Sequence, residues 1–418
     1  MSTEQFDRRY RLNPLHVDNP RLHKRARFIV DQQRELQAGL SSRPTNIAFF
    51  ENLLCDLPVP PGAPLVGYFC NMVPQEIIHA LGARAVRLGC GNAALVQSGE
   101  EALAGEICPL TKSSFGAFMD KESIANRCNA LVMVASCDAK RKLAEVLADY
   151  VPTFIINLPP DQDARRYGSA LAAELERMCD FLCDRLGAKL TTRALLAAIE
   201  AGQRRTALVR RLQKARADKP AALSIRDAYL VIQAAFTPVD PEEWLAQAQR
   251  VLEEVEGFAP TRKRLRHRMV LTGAPLIWPN FKMLNLIEES GADVVADTLC
   301  TGFQSLYDPV VTDEKGRRAL MRALAQRYVF ASACPCFISQ ATRISRVLEL
   351  VEEFRADGVI NYGLRLCQLF DMEAYRLSQV LRARGIPFAN IRTDYSLEDT
   401  EQLRVRLEAF LETVGEQA

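Results

Sequence analysis

Two stretches of the chain alternate short apolar runs with segments of helical periodicity. In the first stretch, the apolar runs predict strands at 65–69, 85–88, 131–136 and 153–158. In the second, they predict strands at 269–272, 293–297, 328–332, 357–361 and 387–391. Strands that alternate with helices are typical of parallel, doubly wound sheets, because each parallel crossover needs a long connection. The pattern therefore predicts an α/β protein with two such sheets.

Helical patterns occupy the parts of the chain before and between these stretches. Residues 1 to about 60 predict a polar helical arm, clearest over 21–40. A helical insertion has apolar residues at helical spacing over 163–186, 191–217, 224–236 and 241–256. Asp240 is placed to cap the last of these helices, and Ser396 with Asp399 predicts a capping box for the C-terminal helix. The basic run 262–268 is typical of a solvated connector rather than of a nucleic-acid patch.

The two α/β stretches resemble one another in sequence. GARAVRLGCG (82–91) is similar to GADVVADTLCTG (291–302), which aligns Cys90 with Cys300. NALVMVASC (129–137) is similar to ADGVINYGLRLC (356–367), which aligns Cys137 with Cys367. We interpret this as a diverged duplication with a ligand-binding cleft between the halves. The predicted parts are a helical arm (1–63), a first α/β domain (64–160), a helical insertion (161–262) and a second α/β domain (263–418).

The balance of charge excludes the function classes that need a strong electric field. The net charge is +2, so nothing favours nucleic acid or a membrane surface as a partner. The start, MSTEQFDRRYRLNP, lacks the apolar core of a signal peptide. We therefore expect a cytoplasmic protein.

The chain has 12 cysteines and only four histidines. Disulfides are not expected in a reducing compartment, so thiolate ligation of zinc or of an iron–sulfur cluster is the main chemical prediction. Seven cysteines follow predicted strands or stand beside helix starts, which is more than core packing explains. They are Cys70, Cys108, Cys137, Cys300, Cys334, Cys336 and Cys367.

Cys70 has the clearest setting of the seven. It stands at the carboxyl end of the strand predicted at 65–69, and Pro74 suits the first turn of a helix that runs to Leu81. Ligands of α/β proteins bind at such strand ends, and a helix N-terminus favours a thiolate.

The number of ligands leaves two arrangements open. A fully ligated cubane takes four cysteines, and the two halves supply three and three or four. Either one complete cluster forms with spare cysteines, or two cubanes each lack one protein ligand. Zinc is the competing metal, but only Cys334 and Cys336 form a tight pair.

Several other motifs have an ordinary structural interpretation. Cys179 with Cys183 is expected to pack in the core or partly exposed, and Cys55, Cys90 and Cys128 are expected to be ordinary buried cysteines. Residues 89–94 match G-x-G-x-x-A, but no clear helix follows, so we predict a tight turn. The chain contains no G-x-x-x-x-G-K-[ST] motif for ATP. The cations after Cys108 (Lys112) and after Cys137 (Lys140, Arg141, Lys142) either stabilise a reduced cluster or are solvated.

At these residues the sequence resembles a known family, the 2-hydroxyacyl-CoA dehydratase D-component family, which includes benzoyl-CoA reductase subunits. The resemblance covers the chain from about residue 66 to the C-terminus. Within the family, the sequence most resembles the double-cubane cluster proteins. The segments that carry it are GYFCNMVPQEIIHALGA, CPLTKSSFG, SCDAKRKLAEVL, ESGADVVADTLCTG, ACPCF and DGVINYGLRLCQLFDMEAYRL.

The resemblance implies two Rossmann-like domains with iron–sulfur clusters between them. In the dehydratases, each subunit holds one cubane by three cysteines. The double-cubane proteins use six cysteines for two cubanes joined by a sulfide, an [8Fe–9S] cluster. The matching cysteines are Cys70, Cys108, Cys137, Cys300, Cys367 and one of Cys334 or Cys336.

The resemblance also implies a homodimer and a separate ATP-hydrolysing [4Fe–4S] activator, in keeping with the missing ATP motif. We therefore expect a low-potential reductase component that acts on a small substrate. The alternatives are a 2-hydroxyacyl-CoA dehydratase or benzoyl-CoA reductase type of subunit with one [4Fe–4S] cluster, and a non-catalytic metal-binding scaffold. His79, Glu76 and Lys112 lie near expected ligands, but no residue can be assigned as a proton donor.

Overall fold

The computed structural model describes residues 15, 19–40, 42–259 and 267–417. Residues 262–266 of the basic run lie outside this part of the chain, so their interpretation as a connector stays a prediction. The arm provides two helices, α1 (Pro20–Ala38) and α2 (Ile47–Asp56). Both fall where the sequence predicts a helical arm.

The first α/β unit has four strands in the order β2-β1-β3-β4, and all neighbours are parallel. Its strands are β1 (Leu65–Tyr68), β2 (Arg84–Arg87), β3 (Ala130–Val134) and β4 (Thr153–Ile156). Its helices are α3 (Gln75–Ala80), α4 (Ala93–Glu100), α5 (Pro109–Met119) and α6 (Asp138–Leu147). Every residue of β3 is buried, as expected for a parallel strand covered on both faces.

The helical insertion has four helices at the positions that its apolar spacing predicts. They are α7 (Ala164–Leu186), α8 (Thr192–Asp218), α9 (Ile225–Ala234) and α10 (Pro241–Gly257). Asp240 caps α10 as predicted, because its side chain accepts from the N–H of Glu242 at 2.9 Å. The insertion is tied to the second unit by Arg216, which is fully buried and bonds Asp293 and the Val294 carbonyl.

The second α/β unit repeats the strand order of the first, β6-β5-β7-β8, again with all neighbours parallel. Its strands are β5 (His267–Gly273), β6 (Ala292–Asp297), β7 (Gly358–Leu364) and β8 (Phe388–Thr393). Its helices are α11 (Lys282–Glu289), α12 (Arg317–Ala325), α13 (Ala341–Glu353), α14 (Gln368–Arg382) and α15 (Thr400–Gln417). Two four-stranded parallel sheets confirm the predicted α/β class and agree with two Rossmann-like domains.

Three local predictions are wrong: a strand, a capping box and a tight turn. The strand predicted at 328–332 is instead a π-helical turn at Gln326–Phe330. The prediction failed because a short apolar run that is wholly buried shows neither helical nor strand periodicity. Helix α15 begins at Thr400 rather than at Ser396, whose hydroxyl instead accepts from the N–H of Glu398 at 3.2 Å in a turn. The Asp399 carboxylate, predicted to close the capping box, bonds Lys282 and Thr393 at 2.7 Å each.

The third wrong prediction is the tight turn at 89–94, since helix α4 follows directly. Asn92 caps that helix and accepts from the N–H of Ala94 at 3.0 Å. Gly91 is explained by close approach, because a Cβ there would lie 1.9 Å from the Ile277 carbonyl oxygen. The glycine pattern therefore serves contact between the first and second units.

None of the helices in the described ranges has both the length and the apolar character that a membrane span requires.

Candidate metal centre

Five of the seven candidate cysteines stand just beyond strands or immediately before helices, whereas Cys334 and Cys336, predicted to follow a strand, lie in the loop between the π-helical turn and α13. Cys70 lies two residues beyond β1, and Cys300 lies three residues beyond β6. Cys108, Cys137 and Cys367 immediately precede α5, α6 and α14. The Cys137 sulfur accepts from the N–H of Lys140 at 3.5 Å, which fixes it against the helix start. Carboxyl ends of parallel strands share one edge of a sheet, so each half presents its thiols on one side.

Cys70, Cys300, Cys334 and Cys336 form one set, which we call the Cys300 group. Burial raises the pKa of Cys70, and the nearby charges of Cys334 and Cys300 raise it further. Cys336 in turn is hydrogen-bonded to Cys334. Cys70 comes from the first half and the other three come from the second, so this group spans the halves.

Cys108, Cys137 and Cys367 form the second set, which we call the Cys367 group. Burial raises the pKa of Cys367 to about 12, and the electrostatic effects of Cys108 and, to a smaller extent, Cys137 act in the same direction. This group also spans the halves, with two cysteines from the first and one from the second. Leu366, just before Cys367, has a left-handed backbone with φ of 64° and is half-exposed.

Lys140 interacts with both groups. Burial acts to lower the pKa of its ammonium, but the thiolates of Cys70, Cys137, Cys300 and Cys334 raise it above its usual range. The neighbouring cations Arg141 and Lys142 instead pair with Asp138 at 3.6 Å and Glu145 at 2.8 Å. Of the three cations that follow Cys137, Lys140 is thus the one directed at the thiols.

Two arginines beside the Cys300 group were not found from the sequence. Arg87 on β2 donates to the Cys300 carbonyl at 2.6 Å and to its sulfur at 3.5 Å. Arg343 on α13 is buried, donates to the Thr272 hydroxyl at 2.8 Å and helps to lower the pKa of Cys334. Arg87 lies 213 positions before Cys300, whereas Arg343 follows Cys334 by only nine residues, and each looks like an ordinary polar position of its strand or helix.

Cys334 and Cys336 differ in their surroundings although they are two residues apart. The Cys336 thiol donates to Cys334, which lowers the pKa of Cys334 to about 7 and raises that of Cys336. Both sulfurs lie near Cys70 and Lys140, but Cys334, unlike Cys336, borders the same small cavity as Cys300. Of the two sulfurs, Cys334 is therefore the one more readily available as a thiolate to the rest of the group.

Two cavities border the two groups. A small one of about 50 Å³ reaches Cys300 and Cys334 and includes Asn71, Gln304 and Arg343 in its wall. A larger one of about 840 Å³ is bordered by Pro109 and Leu366, which adjoin Cys108 and Cys367. The hydroxyl groups of Tyr362 and Tyr395 are buried near the Cys367 group and have no hydrogen-bond partner among the described residues.

The other cysteines lie elsewhere. The sulfurs of Cys179 and Cys183 are 3.9 Å apart on α7. Cys55 packs in the core around α2 and α9. Cys90 and Cys128 pack against the apolar cluster between the first sheet and helices α5 and α6. Burial raises the pKa of Cys90 and of Cys128 to about 12.

The polar residues noted near the expected ligands are engaged with other groups. Glu76 accepts from the Tyr328 hydroxyl at 2.8 Å, and Lys112 donates to Glu100 at 2.5 Å and to the Gly105 carbonyl. His79 is at the far end of α3, where burial and the charges of Arg205 and Arg84 lower its pKa to about 4. None of these contacts is to a candidate cysteine.

The donor set suits an iron–sulfur cluster better than a single metal ion. Two thiolates on one zinc lie about 3.8 Å apart, given Zn–S bonds of about 2.3 Å. In the part of the chain that the structure describes, no three histidine, cysteine, aspartate or glutamate side chains form a group able to hold one ion. In a cubane each thiolate binds a different iron, so its ligands lie farther apart. Soft thiolates beside a buried cation also suit an anionic cluster.

Comparison with known proteins identifies the class. Residues 70–414 match the family model described as 2-hydroxyglutaryl-CoA dehydratase, D-component. The chain therefore belongs to this family of dehydratase and reductase subunits.

Three relatives cover most of the chain. The Escherichia coli protein YjiM, which carries the name of a dehydratase subunit, is 31% identical over 84% of this chain and 91% of its own length. The beta subunit of (R)-2-hydroxyglutaryl-CoA dehydratase from Acidaminococcus fermentans is 22% identical over 84% and 93%. A benzoyl-CoA reductase subunit from Thauera aromatica is 22% identical over 85% and 92%. These names support an enzyme that works with partner subunits.

Proposed function

We propose that this chain is the catalytic component of a low-potential reductase that depends on iron and sulfide. It holds two [4Fe–4S] cubanes joined as a double-cubane [8Fe–9S] cluster, and it reduces a small substrate. The observation that carries the proposal is the convergence of two thiol groups, each drawn from both halves, upon Lys140. When bound, the clusters supply electrons at low potential.

Each thiol group supplies three ligands. Cys70, Cys300 and Cys334 hold one cubane, and Cys336 supports Cys334 by donating a hydrogen bond to it. The other cubane is held by Cys108, Cys137 and Cys367. A cubane with three protein thiolates has one iron without a protein ligand, since a complete set takes four.

The remaining residues of the site bind and orient. Lys140 offsets the negative charge of both thiol groups, and this positive charge would favour the reduced state of the clusters bound there. The cavity of about 50 Å³ beside Cys300 and Cys334 suits a substrate of a few atoms. Its polar wall, with Asn71, Gln304 and Arg343, supplies hydrogen-bond donors to orient such a molecule.

Electrons reach this component from a separate ATP-hydrolysing [4Fe–4S] activator. The sequence has no G-x-x-x-x-G-K-[ST] motif, which agrees with ATP hydrolysis on another protein. We further propose that the chain forms a homodimer. Light scattering of the purified protein should give about twice the 46.7 kDa of one chain. A mass of one chain, or a requirement for a different subunit, would contradict the homodimer.

A second candidate function is that of a 2-hydroxyacyl-CoA dehydratase or benzoyl-CoA reductase type of subunit with one [4Fe–4S] cluster. The cavity of about 840 Å³ beside Pro109 and Leu366 favours it, because ligand pockets of about 300–1,000 Å³ hold larger organic molecules. The names of the relatives favour it as well. This function requires a second, different subunit.

Iron, acid-labile sulfide and zinc analysis of anaerobically purified protein separates these candidates. About eight irons per chain with sulfide supports two cubanes, whereas about four supports the single-cluster subunit. Zinc without sulfide supports a non-catalytic scaffold and would refute both enzyme proposals. Adding the activator with ATP should then reduce the protein, as followed by loss of visible absorbance.

A further inference from the structure

Arg87 connects the two halves at the Cys300 group. It is the last paired residue of β2 in the first half, opposite Tyr68. Its guanidinium reaches the second half, where it donates to the Cys300 carbonyl at 2.6 Å and to the Cys300 sulfur at 3.5 Å. The Phe236 ring covers the same guanidinium at 5.3 Å. The arginine is therefore held in place while it donates to a candidate ligand.

Asp297 occupies the corresponding position in the second half. It is the last paired residue of β6, opposite Leu271. Its buried carboxylate accepts from the N–H groups of Leu299 at 3.0 Å and Phe303 at 2.9 Å, on either side of Cys300. The loop that presents Cys300 is thus already held within its own half. The contact from Arg87 to the sulfur is not needed to shape that loop.

The two cysteine groups differ in the cations around them. Lys140, Arg87 and Arg343 are cations beside the Cys300 group, where Glu373 pairs with Arg343 at 2.8 Å and Asp297 holds the Cys300 loop. Cys367 shares Lys140 and lies beside the rings of Tyr362 and Tyr395, and Arg87 is the cation that donates directly to a sulfur of the Cys300 group. Positive charge and hydrogen bonds to cluster thiolates raise the reduction potential, because each reduction step adds negative charge.

We infer that Arg87 is a positioning residue whose N–H···S hydrogen bond to Cys300 raises the potential of the Cys300 group above that of the Cys367 group. Electrons then collect at the Cys300 group, next to the cavity of about 50 Å³. The inference rests on the proposed function, since both groups must hold clusters. It assigns the Cys367 group to electron entry and the Cys300 group to substrate reduction.

The test compares Arg87→Gln and Arg87→Lys with Arg84→Gln. Arg84 lies on the same strand but pairs with Asp240 at 2.6 Å, away from the cysteines. Iron and sulfide are measured first, and then each midpoint potential is measured by an EPR-monitored redox titration. The midpoint that belongs to the Cys300 group is the one that Cys300→Ser also removes or shifts.

Arg87→Gln should keep the iron and lower only the Cys300-group midpoint. A tenfold drop in the one-electron reduction equilibrium corresponds to about 59 mV. Arg87→Lys keeps a charge but loses the planar fork, so its shift should be smaller. Arg84→Gln should match the unchanged protein.

Three results would overturn the inference. They are unchanged midpoints in Arg87→Gln with full iron, equal shifts of both midpoints, and loss of iron in both Arg87 variants but not in Arg84→Gln. The last result would make Arg87 purely structural. The failure of the proposed function is seen separately, as an absence of iron and sulfide in the unchanged protein.

Discussion

The two α/β halves share a strand order, but the side chains at equivalent positions have different chemical roles in each half. The position that holds Cys90 after β2 holds Cys300 after β6. Cys90 is packed among apolar side chains, whereas Cys300 lies beside Cys70 and under Arg87. At the last paired position of the same strands, the first half has Arg87 and the second has Asp297. The repeated strand order thus fixes where a side chain emerges, but its contacts with the opposite half decide its chemistry.

The sharpest way to test this comparison is to change its equivalent cysteines. Cys300→Ser should lower the iron content from about eight to about four per chain and abolish substrate reduction, because one cubane loses a ligand. Cys90→Ser is the matched control and should keep all its iron. Metal analysis and activity assays measure both. Equal iron in the two variants would mean that Cys300 is not a ligand.

The next largest effect should separate Cys334 from Cys336. Cys334→Ser should lose about as much iron as Cys300→Ser, because Cys334 borders the same cavity as Cys300. Cys336→Ser should keep its iron, because the serine hydroxyl replaces the thiol as the hydrogen-bond donor to Cys334. The reverse pattern in metal analysis would identify Cys336 as the ligand.

A smaller effect should show whether Lys140 acts on both cysteine groups or on only one of them. Lys140→Met should lower both midpoint potentials, each by about 59 mV for a tenfold change, because Lys140 interacts with both groups. Lys142→Met, which removes an exposed charge from the same helix, is the control. A shift confined to one midpoint in Lys140→Met would show that the lysine serves a single group.

The smallest effect concerns a histidine of the first half. His79 has a pKa near 4 in the folded protein, against about 6.5 when unfolded, so the folded state resists protonation. Its contribution to stability is therefore full at pH 7.5 and is lost as the pH falls below about 6.5. The loss should reach about 2 kcal/mol at pH 5.

Urea unfolding at pH 7.5 and pH 5 measures this difference. His79→Asn should remove about 2 kcal/mol of the pH dependence, and the difference between the two proteins isolates His79 because every other titrating group is present in both. The same pH dependence in His79→Asn and the unchanged protein would show that this site does not titrate on unfolding.

The sequence allowed the sheets and the thiols to be predicted because both leave local signals. Strands β1, β3 and β4 are short, mostly apolar runs with turn signals between them, and Cys70 stands at a strand end. The π-helical turn at Gln326–Phe330 was missed because full burial hides the period. Helix α4 was missed because its eight residues are mostly small and polar.

The surroundings of the cysteines were only partly predictable. Lys140 lies three residues after Cys137, so its role could be suspected from local sequence. Arg87 contacts a residue 213 positions away, and no local pattern records such a contact. The separation into two groups likewise depends on how the halves pack, because each group takes thiols from both.

The backbone of Leu366 has one further consequence. A left-handed leucine costs about 1 kcal/mol that a glycine would not incur, and this one stands just before Cys367, at the edge of the larger cavity. The chain tolerates a small, permanent loss of stability where β7 passes into α14. Leu366→Gly would remove this backbone strain but would also allow the segment before Cys367 more conformations. The position of the Cys367 sulfur would then be less well defined, so the gain in stability would come with a loss of order at the site, as is common in proteins under selection for activity.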